Sequence, residues 1–321
     1  MNKIEKWFNF WFIQVSRGYT VPMSLTNWLV VFLLGFTNDG NLFYGVLALI
    51  GFAFAHMGTN VFDDYIDYKT GAPKQKCKTA HIDNGQTNLK TIFILAFVYF
   101  TIALCIGIFL FIKCGWWVLA LAFAGGLIAL LYPFSNKFAL GELAVALTFG
   151  PLLFAGVYFV MTGRITLQAL LLSIPVAIFT VGVLMVHALM DYDFDKVSGK
   201  KTLCILAGSK IAALNMIFAL IVLAFAITLS LIGFDFLPIS AGCVLGLFPI
   251  VIILYKRLGI YITENEHPKD AFRKNFALIR NLGTLYCIFI AASIFLMWYF
   301  EYDMARHEFL QNINNYNMLV K

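Results

Sequence analysis

The chain has 321 residues, 61% of them hydrophobic and only 12% charged, with a net charge of +6. A soluble domain carries about a quarter of its residues charged, so this balance excludes a disordered chain, a secreted disulfide scaffold and an ordinary soluble enzyme. What it fits is a polytopic helical membrane protein, because the apolar stretches are long and continuous rather than alternating as in an outer-membrane barrel.

In chain order, residues 1–20 come first. They place Lys3 and Lys6 among Trp7, Phe8, Phe10, Trp11 and Phe12, the pattern of a helix lying in the headgroup layer. Nine apolar runs long enough to span a bilayer follow, near 22–38, 43–62, 91–112, 115–132, 140–161, 168–190, 210–232, 236–255 and 281–300. The expected fold is all-α, with nine transmembrane helices in one bundle around a central cavity and the whole of 1–321 as a single domain. Segments 63–90 and 191–209 are expected as cytoplasmic loops. Pro133, Pro175, Pro238 and Pro249 lie at or inside the runs, where membrane helices tolerate them. The six cysteines are scattered, without a CxxC pair, and read as small buried apolar residues.

With nine spans, 19 of the 23 Lys and Arg fall on the side of the N-terminus, and only Lys113, Arg164, Arg306 and Lys321 on the other. The positive-inside rule places the first side in the cytoplasm, the membrane being the cell (inner) membrane. The net positive charge belongs to these loops, so nucleic acid is not an expected partner. Oligomeric state is unreadable.

Two acidic clusters fall on that basic side. In N-V-F-D-D-Y-I-D, Asn60, Asp63, Asp64 and Asp67 lie within about 100° of one another on a helix. Carboxylates on one stripe repel, and a hard divalent cation relieves the repulsion by taking carboxylate and amide oxygens. The competing structural reading is a solvated helix end. In H-A-L-M-D-Y-D-F-D-K-V-S-G-K-K-T-L, Asp191 and Asp195 share a face with His187, Asp193 points away, and Lys200 lies in the basic turn that follows. A histidine here is more often a hydrogen-bonded interior residue than a ligand. Acid faces hold Mg²⁺, Mg²⁺ bridges phosphate oxygens, and lysines neutralise the remainder. The expected ligand is a diphosphate at the membrane surface.

These motifs resemble the UbiA superfamily of intramembrane prenyltransferases. Its D-x-x-x-D-x-x-x-G-x-x-T-L pattern is matched by Asp191, Asp195, Gly199, Thr202 and Leu203, and its N-x-x-x-D-x-x-x-D pattern by Asn60 and Asp64. The third acid falls one residue early, at Asp67, with Tyr68 in the expected place, so Asp67 or Asp63 is left to complete the set. The family's R-P-I-x-x-G reads A-H-I-D-N-G here, with Lys78 nearby as a substitute charge. Tyr132, Pro133 and Lys137 resemble the Y-P-x-x-K segment, and Arg17 stands where members carry an arginine.

The resemblance implies two Mg²⁺ ions on a polyprenyl diphosphate, held by Asn60, Asp64, Asp191, Asp195 and either Asp63 or Asp67. It makes Arg17, Lys78, Lys137 and Lys200 candidates for the leaving pyrophosphate, and Tyr132 an aromatic face for an allylic cation. The stretch F-A-L-G-E-L-A-V-A-L-T-F-G-P-L (138–152) is similar to the 1,4-dihydroxy-2-naphthoate branch, which implies an aromatic acceptor and a place in menaquinone biosynthesis. The alternatives are a hydroxybenzoate, tetrapyrrole or glycerophosphate-lipid acceptor, or an ion-coupled secondary transporter.

Overall fold

The computed structural model describes the backbone of residues 15–70, 82, 85, 87–135, 137–264 and 270–319. Lys78, Ala80, His81 and most of the expected interfacial segment lie outside these residues. A short turn, Gly18–Thr20, leads into α1 (Val21–Phe36). There follow α2 (Leu42–Lys69), α3 (Leu89–Cys114), α4 (Trp116–Ser135), α5 (Gly141–Thr162) and α6 (Leu167–Met190). Two short helices, α7 (Tyr192–Val197) and α8 (Leu203–Leu206), precede α9 (Lys210–Gly233), α10 (Ile239–Thr263) and α11 (Ala271–Leu319).

Polar residues set the helix starts. The side chains of Asn41, Asn88, Thr166, Thr202 and Ser209 each accept a backbone N–H from the first turn of the helix that follows, satisfying donors that have no intrahelical partner. Pro22 occupies the opening turn of α1, where its missing N–H costs nothing.

Among the described residues, eight helices are long and apolar enough to cross a membrane. The exact number nine is not reached, because α1 has 16 residues and spans only about 24 Å at 1.5 Å per residue. The segment expected as a loop from residue 63 opens as helix instead. Helix α2 runs through the acidic cluster to Lys69, because the acids sit on one buried stripe and leave the backbone ladder intact. Segment 191–209 contains α7 and α8 rather than irregular chain alone.

Helix α6 is the centre of the bundle: 72% of its apolar window is buried, against 11% in α2 and α3. Phe179 stacks on Tyr286 of α11 at 4.7 Å between centroids. Buried polar groups are paired: Asn27 Nδ2 donates to Thr180 at 2.8 Å, and the Tyr286 hydroxyl reaches Thr228 and the Ala224 carbonyl. Helix α5 breaks at Gly150, whose ψ of −110° leaves the helical range, just before Pro151. There α5 presses on α6 so closely that a Cβ on Gly150 would lie 2.6 Å from Ala177 Cβ. The α3–α4 hairpin is different, with Ile94, Ile112, Trp117 and Leu131 exposed away from the interior, as lipid-facing helices require.

Candidate active site

A cavity of about 1740 Å³ lies among α2, α3, α4, α5 and α6. Its charged lining comes from one end of the bundle: the turn before α1, the last turns of α2 and α6, the first turn of α5, α7 with the turn after it, and the first turns of α11, which rim it with Arg273 and Arg280. Most of the remaining lining is apolar and aromatic, from Phe97 and Leu104 of α3 to Leu127 of α4.

On α2, Asp63 and Asp64 are buried and both face the cavity. Arg17 Nη2 donates to Asp63 Oδ2 at 2.9 Å and to Asp64 Oδ1 at 2.7 Å. Arg17 adopts a left-handed conformation (φ 51°, ψ 45°), and both the backbone N–H and the hydroxyl of Thr20 donate to its carbonyl at 2.8 Å. This sharp turn carries the guanidinium back across α2. Asn60, also lining the cavity, donates to the Ser16 carbonyl at 3.2 Å. Asp67 is half-buried and is not part of the cavity wall. Of the two candidates for the third acid, Asp63 is therefore the one that lines it.

Asp191 ends α6, and its Oδ2 lies 3.3 Å from His187 Nδ1. The His187 ring is packed edge-on between Phe272 and Phe276, and both histidine and aspartate line the cavity. Asp195 is buried one turn later. Gly199 takes φ 73°, a left-handed conformation that glycine adopts without a Cβ penalty. The turn lets the Lys200 N–H donate to the Asp195 carbonyl at 3.0 Å and places Lys200 Nζ 3.7 Å from Asp195 Oδ1. Asp193 is exposed and pairs with Lys210, away from the cavity.

Two expected residues are not brought in. Lys78 lies outside the described residues. Lys137 is exposed and absent from the cavity wall, because the chain reverses after α4: the Leu140 N–H returns to the Ser135 carbonyl and Ala139 takes φ 57°. Tyr132, by contrast, lines the cavity.

Sequence reasoning missed Glu142, buried at 3% exposure and lining the cavity. Its Oε1 accepts the Leu203 N–H at 2.8 Å, tying the T-L end of the second motif to α5, while Oε2 has no hydrogen-bond partner among the described residues. Its one signal was a carboxylate opening an apolar run. Cys204, beside it, has its thiol pushed up to about 12, by burial first and then by the negative charge of Glu142 and Asp195. His56, Arg273 and Arg280 were also missed; they too line the cavity.

Among the described residues no three acid, histidine or cysteine side chains converge on one point as a protein-only metal cage. The donor set nevertheless fits a hard divalent cation shared with phosphate oxygens. Asn60, Asp63, Asp64, Asp191 and Asp195 offer oxygen ligands from two walls of one cavity, and Mg²⁺ characteristically takes only one or two carboxylates when phosphates complete its shell. Asp63 lies 21 residues beyond the start of α2, about 32 Å along the helix. The acids therefore sit at the edge of a hydrocarbon layer about 30 Å thick, not near the midplane where carriers place theirs.

The UbiA prenyltransferase family model matches residues 24–282. The chain belongs to this family: it is a multi-pass membrane prenyltransferase. It is 30% identical over 209 residues to the 1,4-dihydroxy-2-naphthoate octaprenyltransferase of Bacillus subtilis, covering 61% of this chain and 67% of that protein. It is 26% identical over 264 residues to the digeranylgeranylglyceryl phosphate synthase of Methanobrevibacter smithii, covering 81% and 89%. The fold matches a UbiA homologue from Aeropyrum pernix with a TM-score of 0.66 and 18% identity, over 87% of this chain and 98% of that one. It also matches a homologue from Archaeoglobus fulgidus bound to GPP and Mg²⁺, with a TM-score of 0.54 and 14% identity over 88% and 99%.

Proposed function

We propose that the protein transfers a polyprenyl group from a polyprenyl diphosphate to 1,4-dihydroxy-2-naphthoate, the prenylation step of menaquinone biosynthesis, at the cytoplasmic face of the inner membrane. The observation that carries this reading is the two-ended cavity: both acidic stripes, Arg17 and Lys200 at one end, and an apolar volume sized for a lipid tail at the other. The likeness to the Bacillus subtilis enzyme supports the choice of acceptor.

Asn60, Asp64, Asp191 and Asp195, with Asp63 or Asp67, would hold Mg²⁺, as two ions, whose chemistry there is to draw off charge from the diphosphate oxygens. Arg17 and Lys200 bring fixed positive charge to the same end, where the C–O bond breaks and its electron pair leaves with pyrophosphate. The face of Tyr132 is available to the allylic cation. The apolar walls exclude water, which would otherwise capture that cation. The acceptor's ring carbon then forms the new C–C bond, the ring regains its aromaticity as that carbon releases the group it carried (H⁺ from a C–H carbon, CO₂ from the carboxylate-bearing carbon), and the product is already in the membrane.

The test is incubation of purified protein in lipid with geranylgeranyl diphosphate, Mg²⁺ and a panel of dihydroxynaphthoate, hydroxybenzoate and glycerophosphate acceptors, followed by mass spectrometry of extracted lipids. Prenylated naphthoquinol product from dihydroxynaphthoate is the expected result. A product formed only from another acceptor overturns the assignment.

A further inference from the structure

One polar group in the cavity stands apart from both acidic stripes. His56 lines the wall of α2 one helical turn before Asn60, so it sits about 6 Å deeper toward the apolar end. Its Nδ1 lies 2.8 Å from Ser24 Oγ on α1, and Ser24 is completely buried. Among the described residues the Ser24 hydroxyl has no other partner. With Ser24 as the donor to Nδ1, so that its hydroxyl hydrogen has an acceptor, the ring proton falls on Nε2. Among the described residues no protein group meets Nε2.

Most buried polar side-chain atoms are satisfied by protein or water; half-buried His56 has only its first nitrogen met by protein among the described residues and borders the cavity with the ring. Phe149 lies edge-on to the imidazole at 5.1 Å, and Phe52 lies at 6.5 Å from it. Phe52 and Phe149 pack edge-to-face at 5.2 Å, and both line the cavity. A polar handle beside two aromatic side chains, one turn beyond the acids, suits a flat ring bearing oxygen substituents.

We propose that His56 is the acceptor-binding residue: Nε2–H donates a hydrogen bond to an oxygen on the aromatic acceptor, with Ser24 fixing the tautomer and Phe52 and Phe149 holding the ring. The proposal rests on the prenyl-transfer reading above and deepens it by naming how the nucleophile is held. A donor hydrogen bond to a hydroxyl or carboxylate oxygen orients the ring without taking part in the departure of pyrophosphate, so its loss falls on one substrate only.

The experiment compares His56→Phe, which keeps a ring and removes both nitrogens, with His56→Gln, which restores a side-chain N–H. Steady-state KM is measured separately for acceptor and for geranylgeranyl diphosphate in the same lipid, with thermal melting as the control for folding. His56→Phe should raise the acceptor KM about tenfold, the effect of one lost hydrogen bond, and leave the diphosphate KM within about twofold. His56→Gln should recover most of the loss, and Ser24→Ala should reproduce part of it. If His56→Phe does not fold, a higher acceptor KM in His56→Leu than in His56→Gln gives the same answer. An unmoved acceptor KM, or equal shifts for both substrates, would overturn the assignment while leaving prenyl transfer intact. Wild-type protein without turnover on any aromatic acceptor would overturn both.

Discussion

The first acidic stripe and the second are held by different kinds of structure. Asp63 and Asp64 lie inside one uninterrupted helix, with side chains only 4% and 7% exposed, and are bridged by a guanidinium 46 residues away in sequence. Asp191 and Asp195 straddle the end of α6. Asp191 is 21% exposed, and His187 and Lys200, which pair with the two, come from within five residues. One stripe is a tertiary crosslink and the other a local turn. A crosslink of buried charge is poised between strong stabilisation when complete and strong destabilisation when broken. A local turn can be altered with little consequence for the rest of the bundle.

The largest effect that tests this contrast is on turnover. Asp191→Ala and Asp195→Ala should each lower pyrophosphate release by about a hundredfold or more, with melting temperatures close to wild type. Equal activity in both variants would remove the second stripe from the site. Next comes stability. Arg17→Ala removes the guanidinium that bridges two adjacent buried carboxylates and should cost about 3–5 kcal/mol in denaturant unfolding. Lys200→Ala, which removes a single looser contact at 3.7 Å to one similarly buried carboxylate, should cost less, about 1–2 kcal/mol. Similar losses from the two would erase the distinction between crosslink and turn.

A smaller effect is expected where the end of the second motif is tied to α5. Glu142→Ala strands the half-buried Leu203 N–H and should cost about 1 kcal/mol, whereas Glu142→Gln keeps the accepting oxygen and should cost less. Faster amide exchange at Leu203 in the alanine variant would show that this bond closes the turn. The smallest effect is a silence. With the Cys204 thiol pushed up to about 12, about one molecule in ten thousand carries a thiolate at pH 8. A variant retaining only Cys204 should therefore resist maleimide while folded and label on denaturation; rapid labelling would mean the turn opens on its own.

Much of this architecture was legible before any coordinates. The runs at 168–190 and 210–232 coincide with α6 and α9 to within a residue, because long apolar segments have sharp polar ends and serine or threonine caps. The start of α11 was placed ten residues late, since its first turns, Ala271 to Arg280, are amphipathic rather than apolar. The extension of α2 through its acids was hidden for the same reason: hydropathy records where lipid ends, not where the backbone ladder ends. In the site, the spacing of Asp191, Asp195 and Gly199 carried its own geometry. Arg17 was recognised as a charge for a phosphate, but its grip on Asp63 and Asp64 depends on a left-handed turn at a non-glycine residue, which composition does not betray. Glu142 and His56 are single polar residues within apolar runs, and only the packing of helices from distant parts of the chain gives them a purpose. Lys137 fails in the opposite way, since the reversal after Ser135 carries a suitably spaced charge outward.

The apolar end of the cavity has one more property. Gly107 on α3, Gly125 and Gly126 on α4 and Gly156 on α5 all border it, and a methyl group added to any of them would meet no atom within 4 Å. These positions act as notches on a ruler. Filling one with a bulkier residue would shorten the tail that fits while leaving head-group chemistry untouched, so lineages sharing the same charged machinery can drift apart in the length of lipid they build.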